Sequence, residues 1–347
     1  MSNKQLGFAL IGCGVAAGFH ARAIAGFQDL ALRGVYDTYQ PGAQIFSQSQ
    51  NTACYETLES LLADPLVDAV CICTPSGLHA AQAIAALEAG KHVLIEKPLA
   101  ISAEEGWKVV QAAKKQHRIV DVVAQLRCCP AVQQLRDAIS QGRLGTITLV
   151  QLDMVYYRSE EYYNSSPWRG TWAMDGGGAL MNQGVHGIDL LLYLLGPVKQ
   201  VYSHAKTMAR SIETEDTAAA TLEFENGAIC TVAATTSVYP GSPRRLRVCG
   251  TKGTVVLTED SITEWSVEGD DPAAYLSASE YVSFNKPEAV PESAHAAVIR
   301  DFADSILAGR QPISGVQDGY NAVALIEAMY QSSKTGQSQR PSWIKSE

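Results

Sequence analysis

Leu6 to Ile11 is an apolar run that leads directly into Gly12-Cys13-Gly14-Val15-Ala16-Ala17, and a helical pattern follows from Phe19 to Phe27. This strand, G-x-G-x-x-A turn and helix constrain the fold more than any other stretch. The glycines allow a tight turn and let the backbone come close to a pyrophosphate, while the start of the helix offers free N–H groups and a partial positive charge to phosphate. A second strand, Ala31 to Tyr36, ends at Asp37. That carboxylate stands about 20 residues past the glycines, where a ribose hydroxyl would be met. Aspartate accepts from the 2′-hydroxyl of NAD and repels the 2′-phosphate of NADP. The next residues, Thr38, Tyr39 and Gln40, bring no arginine, so NAD is expected over NADP. The plain alternative for Asp37 is a turn residue.

The βα rhythm continues. Leu58 to Leu62 reads as helix, Ala69 to Cys73 as strand, and Thr74-Pro75-Ser76 as the loop behind it. Ser76 is a candidate cap for a helix over Leu78 to Ala89, which Gly90 stops. His79 falls in its first turn, where it could face a cofactor or be solvated. His92 to Ile95 reads as a buried strand and runs into Glu96-Lys97-Pro98; Ala103 to Gln116 is a helix and Ile119 to Ala124 a strand. Alternation at this spacing means a doubly wound parallel sheet, expected over residues 1–125. A lysine just past the carboxyl end of such a strand sits where open α/β sheets place ligands.

After Gln125-Leu126-Arg127 the rhythm changes. Pro130 to Ile139 is helical and Thr146 to Tyr157 alternates as a strand. From Val198 to Leu257 come further alternating runs, separated by turns such as Glu225-Asn226-Gly227, and two helices, Ser293 to Leu307 and Gln317 to Gln331, close the chain. Residues 126–347 are therefore expected to form an α+β domain with a large, mostly antiparallel open sheet. An uncovered sheet face would suit an isologous subunit contact, hence a homodimer or homotetramer. Residues 268–292 read as an exposed excursion.

Within this half, Gly176-Gly177-Gly178-Ala179-Leu180-Met181-Asn182-Gln183-Gly184-Val185-His186-Gly187-Ile188-Asp189 leads into an apolar helix. Asn182, His186 and Asp189 recur at i, i+4 and i+7, which puts them on one stripe of a helix. Gly184 and Gly187 each cost about 1 kcal/mol against alanine inside a helix, so something is expected to approach that backbone. An active-site stripe competes with a core histidine satisfied by Asp189. Upstream, Tyr156-Tyr157-Arg158 and Trp168-Arg169 set arginines among aromatics, which suits a sugar ring carrying an anionic group; an aromatic-rich interface loop is the alternative.

Other function classes are poorly supported. With 27 basic and 36 acidic residues the net charge is −9, which argues against a nucleic-acid binder. No apolar run reaches the length of a membrane span. The start is not a secretory signal, so the cytoplasm is the expected location. None of the eight cysteines forms a C-x-x-C pair, and no metal site is expected.

These pieces together resemble the glucose–fructose oxidoreductase / inositol dehydrogenase family, Gfo/Idh/MocA. The resemblance is carried by the Gly12-Cys13-Gly14 loop, Thr74-Pro75 with His79, Glu96-Lys97-Pro98, the segment from Gly176 to Asp189 and the closing helices. It implies a Rossmann domain, an open-sheet second domain and NAD(P)-dependent dehydrogenation of a sugar, polyol or nucleotide sugar. By position, Lys97 and His186 would be catalytic. Gly12, Cys13, Gly14, Val15, Ala16, Asp37, Thr74, Pro75, His79, Glu96 and Lys97 would meet the cofactor. Arg127, Tyr157, Arg158, Trp168, Arg169, Asn182 and Asp189 would meet the substrate. Asn182 replaces the aspartate of many members, including inositol dehydrogenases, and resembles the branch acting on UDP-linked N-acetyl amino-sugar uronates. The alternatives are an inositol or hexose dehydrogenase and a non-catalytic dinucleotide-binding regulator.

Overall fold

The computed structural model describes residues 5–278 and 292–343; residues 279–291 of the expected excursion lie outside them. The first half runs β1 (Leu6–Ile11), α1 (Val15–Ala25), β2 (Leu30–Tyr36), α2 (Gln40–Ser49), β3 (Ala53–Cys54), α3 (Leu58–Ala63), β4 (Ala69–Ile72), α4 (His79–Glu88), β5 (His92–Ile95), α5 (Ala103–Gln116) and β6 (Val120–Val122). The strands form one parallel sheet in the order β3-β2-β1-β4-β5-β6. All residues of β4 and nearly all of β5 are buried, as expected of strands covered by helices on both faces. The strand order reverses between β1 and β4, the switch point at which such sheets bind ligands.

The second half runs α6 (Pro130–Ser140), β7 (Ile147–Val155), α7 (Glu160–Asn164), α8 (Val185–Leu195), β8 (Val198–Lys206), β9 (Thr217–Phe224), β10 (Ile229–Thr235), β11 (Arg245–Gly250), β12 (Gly253–Thr258) and β13 (Ser261–Val267). These strands form a seven-stranded sheet in the order β13-β12-β11-β7-β10-β9-β8. It is antiparallel except where β10 runs parallel to β7. Val150, Leu152 and Met154 of β7 point into the core, while Leu149, Gln151 and Asp153 point out. Helices α9 (Glu292–Ala308) and α10 (Val316–Thr335) follow.

The chain divides into two compact units. Residues 104–125 and 292–320 belong to the first unit, and the chain from residue 126 to 278 belongs to the second. Packing places α9 in the first unit. Phe302 of α9 is buried edge-on against Phe8 of β1, with ring centroids 6.1 Å apart. Arg300 bonds both oxygens of Asp29 at 2.9 and 3.0 Å and lies over Phe27.

Candidate active site

In the first unit the glycine turn has two different glycines. Gly12 has φ +95°, and a Cβ there would lie 2.8 Å from the backbone carbon of Cys73, so the chain just past β4 demands the glycine. Gly14, at the start of α1, has nothing within 4 Å of where a Cβ would stand. No side chain caps that helix and no acidic residue lies in its first turn. Its first N–H groups and the positive end of its dipole suit a pyrophosphate, and Val15 beside them is exposed.

Asp37 ties this turn to the end of β2. Its carboxylate accepts from the Cys13 N–H at 2.8 Å and from the Tyr39 N–H at 2.8 Å. A carboxylate has about four acceptor sites, so the turn role and a ribose contact are compatible. The Cys13 thiol is pushed up to about 12, first by burial and then by Asp37, so it serves as a neutral wall. These features fit NAD.

The loops after β4 and β5 are joined by His79, which is buried and not solvated. Its Nδ1 is 2.7 Å from the Pro98 carbonyl and its Nε2 is 2.9 Å from the Thr74 carbonyl. Burial lowers this ring's affinity for a proton, and the two carbonyls oppose that effect. Thr74 donates its hydroxyl to Gln82 at 2.6 Å. Ser76 does not cap α4: it opens a short 3-10 turn, and no side chain caps the helix. Lys97 is half-buried in the turn that His79 braces. The Glu96 carboxylate is directed at His20 and His295, two residues the sequence did not single out.

In the second unit the expected stripe is divided. Asn182 lies in a π-helical turn, Ala179–Gln183, and α8 begins only after Gly184. The Asn182 amide donates to buried Asp175 at 2.6 Å, and the other Asp175 oxygen accepts from Gly170 N–H at 2.8 Å. Asp189, farther along, takes two hydrogen bonds from Arg127, at 2.9 and 2.6 Å. Arg127 is 2% exposed, so this arginine and Asp189 form a buried ion pair. Tyr193 covers the pair, with Arg127 at 4.5 Å from its ring centroid. His186 stands in the first turn of α8, half-exposed.

The glycines here answer to the chain's own atoms. A Cβ on Gly187 would meet Met154 Sδ at 2.5 Å, and one on Gly184 would meet the Ala179 carbonyl at 2.6 Å. Gly177 and Gly178 are crowded by the Tyr330 hydroxyl and the Glu215 carbonyl. Glu215 anchors this loop by accepting from Gly178 N–H, Leu180 N–H and the Tyr330 hydroxyl at 3.0, 2.8 and 2.8 Å. Burial pushes its carboxyl up against the pull of those donors.

The aromatic and arginine residues do converge. Arg158 is buried and donates to Gln183 at 3.1 Å and to the Tyr157 carbonyl at 2.8 Å. Gln183 in turn donates to the Tyr162 hydroxyl at 2.9 Å. Arg169 also donates to that hydroxyl and lies over the Tyr162 and Trp168 rings, at 4.2 and 4.8 Å. Its Nε is buried without a hydrogen-bond partner among the described residues. Tyr162 and Gln183 were missed as site residues. The density of aromatics marked the region, but nothing in the sequence linked Gln183 to Tyr162. His20 had one signal, a polar residue within an otherwise mostly apolar helix.

Comparison with known proteins agrees with this geometry. Residues 6–124 match the model of the oxidoreductase family with NAD-binding Rossmann fold, and residues 132–256 match the GFO/IDH/MocA C-terminal domain. The 1,5-anhydro-D-fructose reductase of Ensifer adhaerens is 30% identical, covering 81% of this chain and 82% of its own. UDP-N-acetylglucosamine 3-dehydrogenase of Acidithiobacillus ferrooxidans is 29% identical over 69% of each chain. The WlbA dehydrogenase of Bordetella pertussis, solved in complex with NADH and UDP-GlcNAcA, superposes with a TM-score of 0.89 at 32% identity, covering 99% of this chain and 100% of that one. The glycine turn, the Lys97 turn, the mostly antiparallel sheet and these matches establish that the chain belongs to the Gfo/Idh/MocA family of oxidoreductases, with an NAD-binding Rossmann domain at its amino-terminal end.

Proposed function

We propose that this protein is an NAD-dependent dehydrogenase of a UDP-linked, acidic amino sugar, with Lys97 and His186 as its catalytic residues. The observation that carries the substrate class is the Arg158–Gln183–Tyr162–Arg169 cluster, which Gln183 joins to its chain neighbour Asn182, in a chain similar over its full length to a dehydrogenase solved with UDP-GlcNAcA. Arg169 retains a buried N–H with no partner among the described residues, a donor suited to a carboxylate or phosphate. Asn182 carries no titratable proton and its amide is engaged by Asp175, so it orients groups and does not relay protons.

Bound NAD supplies the hydride acceptor, C4 of the nicotinamide. His186 takes the proton of the sugar hydroxyl as general base. Lys97 donates a hydrogen bond to the same oxygen and stabilises the negative charge that develops there. Asp37 and the open start of α1 hold ribose and pyrophosphate. Lys97→Ala and His186→Ala should each lower turnover by about 10²-fold or more while NAD still binds. Near-normal turnover in either variant refutes the assignment, and a chain that binds NAD but oxidises no sugar is a regulator instead.

The outward face of the seven-stranded sheet carries exposed Leu149, Ile229 and Tyr202. We assign that face to a homodimer or homotetramer contact, checked by sedimentation of the purified protein. Among the described residues no helix is long and apolar enough to cross a membrane. All eight cysteines are free thiols, which suits the reducing cytoplasm.

A further inference from the structure

The turn that carries Lys97 is held from one side by His79, through the Pro98 carbonyl. On its other side Glu96 meets two more buried histidines of the same unit. His20 comes from α1 and places its Nε2 2.8 Å from Glu96 Oε1; His295 comes from α9 and places its Nε2 3.7 Å from the same oxygen. Phe19 stacks on His295 at 4.9 Å, and the two imidazoles meet edge to face at 5.3 Å. Nδ1 of each ring is buried with no hydrogen-bond partner among the described residues.

The orphan nitrogens decide what the cluster is. A carboxylate only accepts, so the Nε2 facing it carries the hydrogen. A second proton, on Nδ1, would leave a buried donor unpaired in each ring, which is costly. The His20 ring therefore carries its hydrogen on Nε2, in the hydrogen bond to Glu96, whereas the His295 Nε2, at 3.7 Å, packs beside the carboxylate without a hydrogen bond. The three ligand atoms lie within 4.8 Å of one another, close enough for a metal ion. Metal binding, however, needs bare Nε2 atoms and moves each hydrogen to Nδ1, where a ligating histidine normally has an acceptor and these have none. Burial disfavours the charge on Glu96, and the hydrogen bond from His20 opposes that effect.

We propose that His20 is a positioning residue: as an Nε2–H donor it fixes the Glu96 carboxylate, with His295 packed edge-on against its ring, and thereby holds the Lys97 turn. His20 touches no reacting atom in this scheme; it acts through Glu96. The proposal rests on the reading of Lys97 as catalytic.

Two measurements on the full-length protein test it. Ring-¹⁵N histidine spectra, with the His20 and His295 signals assigned by their loss in His20→Phe and His295→Phe, should show the Nε2–H tautomer for His20. They should not change when zinc or cobalt is added. The Nδ1–H tautomer or a doubly protonated ring at His20, or a metal-dependent shift, overturns the proposal whatever the enzyme's substrate. In kinetics, His20→Phe should lower kcat by about 10- to 100-fold, the scale of a misplaced catalytic group, with the NAD dissociation constant and the sugar KM held within about 3-fold. His20→Gln, which restores an N–H donor, should recover most of the loss. If Lys97→Ala abolishes turnover and His20→Phe leaves kcat unchanged, the positioning role is refuted while the catalytic reading stands. If Lys97→Ala is itself near normal, the catalytic reading fails first, and the spectra still decide the His20 tautomer.

Discussion

Replacing Arg127 by methionine should strand a carboxylate inside the second unit. Asp189 and Arg127 are joined by two hydrogen bonds of 2.9 and 2.6 Å, with side chains 10% and 3% exposed. Removing one partner of such a pair costs about 3–5 kcal/mol, because the remaining buried charge loses the two hydrogen bonds that balanced it. The carboxylate has one escape, which is to take up a proton. That costs about 1.4 kcal/mol for each pH unit above its ordinary titration range, which caps the penalty near 4 kcal/mol at pH 7. The penalty relative to the parent should therefore shrink by about 1.4 kcal/mol for each unit of acidification towards pH 5. The double variant Arg127→Met with Asp189→Leu removes both charges and should lie within about 1–2 kcal/mol of the parent. Urea unfolding of the three proteins at pH 7, 6 and 5 gives these differences. A single variant as stable as the parent at pH 7, or a penalty that does not change with pH, refutes the buried-pair account and favours a substrate role for Arg127.

Other consequences are testable in the same way. His92 accepts from the Ile119 N–H at 3.0 Å and is lowered to about 4 by burial and then by Arg118. Its ordinary value is near 6.5, so between those values the unfolded chain binds the extra proton, and stability is lost as pH falls through that window. Allowing for partial exposure, the loss is about 2 kcal/mol, and His92→Asn, which keeps an acceptor, should flatten the slope; an unchanged slope contradicts it. Gly187→Ala should gain about 1 kcal/mol in helix propensity but lose about 1–3 kcal/mol by crowding Met154. The urea midpoint should fall while KM stays constant. A raised KM at unchanged stability would mean that a ligand, not Met154, fills the space.

The first unit was legible because its pattern is local. β1, β4 and β5 are apolar along nearly their whole length since helices cover both sheet faces, and Gly12 and Asp37 sit at fixed positions relative to β1 and β2. Elements with broken patterns were not legible. β13 was missed because a register shift between Val256 and Leu257 spoils its alternation: Ser261, Ile262, Trp265 and Val267 are all buried. α2 was hidden by Pro41 and Gly42, which lie in its first turn where a proline is tolerated. The stripe of Asn182, His186 and Asp189 assumed one regular helix, and a π turn intervenes. Spacing alone gave Asn182 and Asp189 a shared role, but Asp175 and Arg127 supply their partners. The return of α9 to the first unit depends on Phe302 meeting Phe8, a long-range contact that no periodicity encodes.

The central claim is the substrate class, and one measurement addresses it directly. The purified protein is given NAD and, separately, UDP-linked amino-sugar uronates, neutral UDP-sugars, inositols and free hexoses, and the formation of reduced nicotinamide is followed by absorbance. The account predicts turnover confined to the UDP-linked uronates, and loss of most of that preference in Arg169→Met. Turnover of inositols or free hexoses at equal or higher kcat/KM would contradict it and reduce the arginine cluster to scaffold.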